Sequence, residues 1–252
     1  MTNRELTFLK EKYSGAELEE AIARFEGGEP LAYVLGEWYF YGLTFKLNDA
    51  CLIPRPDTEH IVEKSIETIK KGGVFADLCT GSGCIAISVL ANRPDLRCSA
   101  YDISSKALEK ARENAALNGV SERVDFLSAD VFELELGEGS LDCIISNPPY
   151  IQTSVIDTLE TVQREPRIAL DGGADGLDFY RHIVEHFTSA LKPGGCFIFE
   201  IGYDQADDIR ALSSAHSLSC SIFKDYGGND RCAILSFQMK PECFAIAAKK
   251  LL

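Results

Sequence analysis

From Val74 onward, short apolar runs bounded by turn residues alternate with longer stretches of helical period, and this alternation leaves the chain few folds to choose from. The runs that read as strands are Val74–Leu78, Cys98–Asp102, Val124–Leu127, Leu141–Ser146, Cys196–Glu200, Leu218–Lys224 and Cys232–Gln238. Helical patterns lie between them near Cys84–Asn92, Ser105–Asn118, Phe179–Leu191 and Gln205–Ser214. Strands and helices in strict succession predict an α/β fold, a parallel sheet wound on both faces by helices. Ligands of such sheets bind beyond the carboxyl ends of the strands. Asp77, Asp102, Asp130 and Asn147 each end or follow a strand, so all four are expected at one edge.

The first strand runs into Cys79-Thr80-Gly81-Ser82-Gly83 and then a helix. Glycines at such a turn let a ligand approach the backbone closely. Asp102 closes the next strand, where a carboxylate can accept both hydrogen bonds of a ribose diol. The dinucleotide fingerprint needs three glycines, and the spacing here is Cys-x-Gly-x-Gly, which disfavours a pyrophosphate. Asp77 ahead of the loop would repel a phosphate and attract a cationic amino-acid cofactor. A glycine-rich turn that holds nothing is the alternative.

After the fourth strand comes Asn147-Pro148-Pro149-Tyr150. Two prolines remove two backbone donors, which frees the carbonyls of Asn147 and Pro148 to face a ligand, and the Asn147 side-chain oxygen adds a third acceptor. Acceptors in this array suit a planar NH2 group, with Tyr150 stacked on its face. The alternative is a plain strand end that turns at Asn-Pro beside a half-buried tyrosine.

With the glycine loop, the acid and the NPPY in this order, the chain resembles the S-adenosylmethionine-dependent methyltransferases that act on amino groups. Leu52-Ile53-Pro54-Arg55-Pro56-Asp57-Thr58-Glu59 narrows the resemblance to the release factor glutamine methyltransferases and their IPRPxTE signature. Gly36-Glu37-Trp38, Tyr41-Gly42-Leu43, Glu165-Pro166-Arg167, Gly172-Gly173, Asp175-Gly176-Leu177 and Glu200-Ile201-Gly202-Tyr203 are similar to the same family, over roughly residues 29 to 238. The resemblance implies a class I, Rossmann-like sheet of seven strands, mostly parallel, with the last inserted antiparallel. It also implies S-adenosyl-L-methionine as cofactor, and methylation of the glutamine side chain in the Gly-Gly-Gln loop of peptide chain release factors. The cofactor would be bound by Asp77, Cys79, Thr80, Gly81, Ser82, Gly83, Asp102, Ile103, Asp130, Val131 and Asn147. Asn147, Pro148, Pro149 and Tyr150 would form the catalytic and substrate-binding set, and Arg55 would either hold the substrate loop or pair with an acid across a domain junction. Cys79 stands where many methyltransferases carry glycine. The family also leads one to expect a longer helical recognition domain than Met1 to Gly28 can supply with two helices.

Three regions are expected. Residues 1–35 form a short helical substrate-recognition region, 36–71 a hairpin and linker helix, and 72–252 the methyltransferase domain. The hairpin turns around Gly42, and the linker helix after Pro56 points Ile61, Val62, Ser65, Ile66 and Ile69 inward. The segment 151–176 is expected to carry substrate specificity.

Charge separates the candidate substrates. An NPPY would take the exocyclic amine of adenine as readily as a glutamine amide. A net charge of −14, from 39 acids against 25 bases, works against phosphate binding and for a protein substrate. The rival readings are an N-methyltransferase acting on a ribosomal-protein glutamine or on adenine, and a nucleoside-binding module without turnover. Nine cysteines without a CxxC pair indicate neither a disulfide framework nor a zinc site, and favour a reducing cytoplasm. His182 and His186 share a helix face without a third ligand, so no metal is expected. No stretch reads as a membrane span or secretory signal, and no membrane partner is expected.

Overall fold

The computed structural model describes residues 1–159 and 164–237. At the amino end, α1 (Asn3–Lys12) starts from a capping box in which Thr2 and Glu5 satisfy each other's backbone donors. It packs against α2 (Gly15–Glu26) and a third helix, α3 (Leu31–Leu35), around Leu9, Ala21, Val34 and Leu35. The two helices expected before Gly28 are present. The third is a single apolar turn between Pro30 and the left-handed Gly36, too short to show a period.

The hairpin β1 (Glu37–Phe40) and β2 (Leu43–Lys46) turns through Tyr41 and Gly42, both at positive φ as a type I′ turn requires. Glu59 accepts the Tyr41 N–H at 2.8 Å. Phe40 and Phe45 enter the main core, and the buried Asn114 bonds both backbone groups of Lys46, at 2.6 and 3.1 Å, and the Ser82 carbonyl at 2.9 Å. One amide thereby staples the hairpin to the glycine loop. The linker helix α4 (Glu59–Thr68) buries Ile61, Val62 and Ser65 as expected, half-buries Ile66, and stops just before Ile69.

Next come β3 (Val74–Leu78), α5 (Cys84–Asn92), β4 (Arg97–Asp102), α6 (Ser105–Leu117), β5 (Val124–Ser128), β6 (Leu141–Ser146), a short α7 (Thr153–Ile156), α8 (Asp178–Phe187), β7 (Leu191–Glu200), α9 (Ala206–Ala215), β8 (Leu218–Lys224) and β9 (Asp230–Phe237). The sheet order is β5-β4-β3-β6-β7-β9-β8, with β9 antiparallel to both neighbours. This is the seven-stranded, mostly parallel, doubly wound sheet that was expected. Separate apolar cores fill its two faces. Several strand ends differ by a residue or two, β4 and β9 starting at Arg97 and Asp230 and β5 ending at Ser128, and one differs by more. β7 begins five residues early because Leu191 pairs with Leu141 across a bulge that Pro193-Gly194-Gly195 permits. Gln238 of the expected last strand lies outside the described residues. Among the described residues no helix is long and apolar enough to cross a membrane. His182 and His186 stack face to face at 4.0 Å, with His182 also against Phe132 and Phe187.

Candidate active site

The strand order reverses between β3 and β6, and the loops leaving these two strands splay apart to open a crevice. A cavity of about 290 Å³ occupies it. Its floor is the turn after β3. Cys79 sits there at φ 59°, a left-handed conformation that costs a side-chain-bearing residue about 1 kcal/mol or more. That backbone requirement explains why glycine is the usual residue at the position. Thr80 N–H bonds the Tyr101 carbonyl at 2.9 Å, and Gly81 N–H donates to Asp102 Oδ2 at 2.8 Å. Gly81, at φ 56°, has open space where a Cβ would stand. Gly83 faces away and lets α5 meet Ala111 of α6, where a Cβ would lie 2.8 Å from Ile87.

Asp77 is fully buried below this floor and does not line the cavity. Its Oδ2 accepts from Thr80 Oγ1 at 2.6 Å and Ala86 N–H at 3.3 Å, while Oδ1 has no partner. Burial lifts its carboxyl to about 7, against the pull of those two donors. Asp102 lines the wall. Its Oδ1 accepts from Ser104 N–H at 2.9 Å, and burial raises it as well. Asp130, whose Oδ1 takes the Phe132 N–H at 2.9 Å, and Val131 stand at the far end. Ile103, Phe132 and Phe179 make that end apolar, and Ile103 and Phe132 remain about half exposed, at 49% and 44%.

The opposite wall is Leu52, Pro54, Arg55 and Thr58, with Asn147 and Pro149 above. The chain's matches elsewhere agree with this arrangement. Residues 58–171 match the family model of the methyltransferase small domain. The release factor glutamine methyltransferase of Caulobacter vibrioides is 41% identical over 224 residues, which cover 87% of this chain and 77% of that one. Its counterpart in Thermodesulfovibrio yellowstonii is 42% identical over 226 residues, covering 86% and 80%. The chain belongs to the release factor glutamine methyltransferase family. The fold is also that of a methyltransferase from Pyrococcus furiosus, with a TM-score of 0.60 at 19% identity, covering 87% of this chain and 98% of that one.

Within this family member the signature segments meet one another around the crevice. Arg55 pairs with the buried Glu165, whose other oxygen accepts the Ile53 N–H at 3.0 Å, so the IPRP segment is clasped to the 151–176 insertion. Of the two readings of Arg55, the pairing with an acid is present, and Arg55 is also among the residues that line the cavity. The insertion packs directly on the NPPY backbone. A Cβ on Gly172 would lie 2.7 Å from Tyr150 Cα and 2.8 Å from the Pro149 carbonyl oxygen. Gln205 Nε2 donates to the carbonyls of Tyr150 at 3.2 Å and Gly176 at 3.1 Å.

Pro148 is buried beside the cavity without lining it. Tyr150 does not line it either; its hydroxyl donates to the buried Glu200 at 3.1 Å, and burial raises the phenol. Phe132, Phe179, Ile168 and Gln205 were not singled out as site residues in the sequence, and Thr58 only as part of the IPRPxTE signature. Phe179 follows Asp175-Gly176-Leu177 by two residues, and Phe132 follows Asp130 by two, which are the only local signals for either.

Proposed function

We propose that the chain transfers a methyl group to the side-chain amide nitrogen of the glutamine in the Gly-Gly-Gln loop of peptide chain release factors, with S-adenosyl-L-methionine as donor. The observation that supports it best is the single crevice lined at once by the glycine loop, Asp102 and Asn147. The crevice suits this cofactor. Open backbone at Gly81 accommodates a bulky ligand, Asp102 keeps lone pairs for a diol, the Ile103, Val131 and Phe132 end suits a flat base, and the Asp102 carboxylate favours a cation. S-adenosyl-L-methionine bound there would supply an electrophilic methyl. Cys79, Thr80, Ser82 and Gly83 would shape the loop, and Asp130 would flank the base.

The protein's own task is orientation. An amide nitrogen is a poor nucleophile because its lone pair is delocalised into the carbonyl. Acceptors at Asn147 Oδ1 and the Pro148 carbonyl would hold the two N–H bonds, turn the nitrogen toward the methyl and stabilise charge growing on it. No strong base is required, since the alkylated nitrogen becomes acidic. Pro149 and Tyr150 would keep that backbone in place.

Residues 1–35 would form the recognition region, 36–71 the connection and 72–252 the catalytic domain. Arg164 of the insertion donates to the Gly27 carbonyl at 3.2 Å, which ties the end of α2 to the insertion. A cytoplasmic location follows from a translation-factor substrate. The net charge of −14 disfavours adenine in nucleic acid as acceptor. The test is incubation with labelled methyl donor and a panel of release factor, ribosomal protein and DNA. Label in the release factor alone is expected; label chiefly in DNA or in ribosomal protein would move the chain to a rival reading.

A further inference from the structure

Ile168 is an apolar residue left in the open at the mouth of the crevice. It lines the cavity together with Ala169, Arg55, Asn147 and Pro149, yet 56% of it stays exposed. A lone isoleucine on a surface needs no explanation. One held at the entrance to a ligand cavity does, because a molecule that fills the entrance removes it from water.

The turn that carries Ile168 is pinned on both sides. Arg167–Ala169 is one tight helical turn, in which the Ala169 N–H donates to the Pro166 carbonyl at 2.9 Å and the Asp171 N–H to the Arg167 carbonyl at 3.0 Å. Ahead of it, the buried Glu165 is clasped to Arg55 and to the Ile53 N–H. Behind it, the Ile151 N–H donates to the carbonyl of the buried Leu170 at 2.9 Å, and Gly172 rests on Pro149 and Tyr150. These contacts tie the turn to the NPPY side of the crevice. The charged neighbour Arg167 is engaged by Asp157 at 2.6 Å and by Asp171 at 3.7 Å, so the turn offers the entrance an aliphatic side chain.

A β-branched side chain is stiff at χ1, and here its backbone is fixed as well. Such a side chain cannot withdraw from an incoming chain. A glutamine that reaches for Asn147 brings its own main chain to the entrance, with the adjoining residue beside Ile168. Glycine at that place lets the backbone lie against the isoleucine, whereas a Cβ would compete for the same space.

We infer that Ile168 is a specificity-determining residue, which packs on the main chain of the glycine preceding the acceptor glutamine and excludes larger residues from that position. This rests on the proposed release factor substrate and deepens it, since it gives the 151–176 insertion a part in reading the sequence beside the glutamine.

The test crosses two enzymes with two substrates. Wild type and Ile168→Ala are assayed on release factor and on a release factor in which the glycine preceding the acceptor glutamine is replaced by alanine, with S-adenosylhomocysteine affinity measured by calorimetry. Wild type is expected to lose about 30-fold or more in kcat/KM on the alanine-bearing substrate. Ile168→Ala is expected to raise KM for the natural substrate about fivefold to twentyfold, with kcat and S-adenosylhomocysteine affinity within about twofold, because the contact is made alike in the ground and transition states. With space opened at the entrance, Ile168→Ala should separate the two substrates by less than about fivefold. Ile168→Val, which keeps the β-branch, is expected to stay within about threefold of wild type on both. An unchanged KM in Ile168→Ala, equal discrimination by wild type and Ile168→Ala, or a fall in S-adenosylhomocysteine affinity that shows the side chain to cover the cofactor would overturn the inference alone. Wild type that leaves release factor unmethylated would remove the substrate reading, and this inference with it.

Discussion

Asp77→Asn is expected to raise the stability of the ligand-free protein at pH 8 and to weaken cofactor binding. The carboxyl is fully buried, one of its oxygens lacks a partner, and burial lifts it from about 3.8 to about 7. A folded-state value above the unfolded one means that the fold prefers the protonated acid. The associated stability is fully present below about 4, is lost progressively as pH rises toward 7, and is gone above it. The displacement corresponds to roughly 4 kcal/mol at pH 8. Asparagine removes that cost and can still accept from Thr80 and Ala86, but its NH2 takes the place of the unpartnered Oδ1 at a penalty of about 1 to 3 kcal/mol. The net gain is about 1 to 3 kcal/mol, a rise in Tm of roughly 2 to 10 °C for a chain of this size. Scanning calorimetry of both proteins from pH 4.5 to 8 reads this directly. The gain should vanish toward pH 4.5, where the wild-type acid is already neutral. A variant with the wild-type pH dependence, or with a lowered Tm throughout, would refute the reasoning.

Other changes separate binding, architecture and chemistry. Asp102→Ala should weaken S-adenosylhomocysteine binding by about 2 to 3 kcal/mol in calorimetry, since a carboxylate that accepts charge-assisted bonds is lost; unchanged affinity would remove Asp102 from the site. Gly172→Ala should cost about 2 to 4 kcal/mol in denaturant unfolding, because the Cβ would meet backbone atoms of Pro149 and Tyr150 that cannot move independently; a variant as stable as wild type would mean that the insertion does not rest on the NPPY. Asn147→Ala should lower turnover at saturating substrate by about 10² to 10³ in a protein that still binds S-adenosylhomocysteine, and near-normal turnover would remove the amide from the reaction.

The sheet was readable because its strands are short apolar runs between turn residues and its helices carry a clear period. The site edge was readable because Asp77, Asp102, Asp130 and Asn147 sit at strand ends. Side-chain direction was not. Asp77 follows the same rule as Asp102 yet lies under the floor, because alternate residues of a strand face opposite sides and the turn at Cys79 closes over it. Tyr150 was expected to stack on the ligand, and its phenol instead reaches Glu200, which is 50 residues away in sequence. The pairing of Arg55 with Glu165 spans 110 residues, and no local pattern encodes such a partner. The glycines of the insertion were visible as a motif, but the reason for Gly172 appears only when the NPPY backbone is seen against it.

The central claim is the identity of the methyl acceptor. The most direct measurement is fragment mass spectrometry of release factor after incubation with the enzyme and methyl donor, alongside a release factor whose Gly-Gly-Gln glutamine is replaced by alanine. A single added methyl on the side-chain nitrogen of that glutamine, and none on the alanine variant, is the expected result. Methylation of the alanine variant, or of any other residue at comparable yield, would contradict the account.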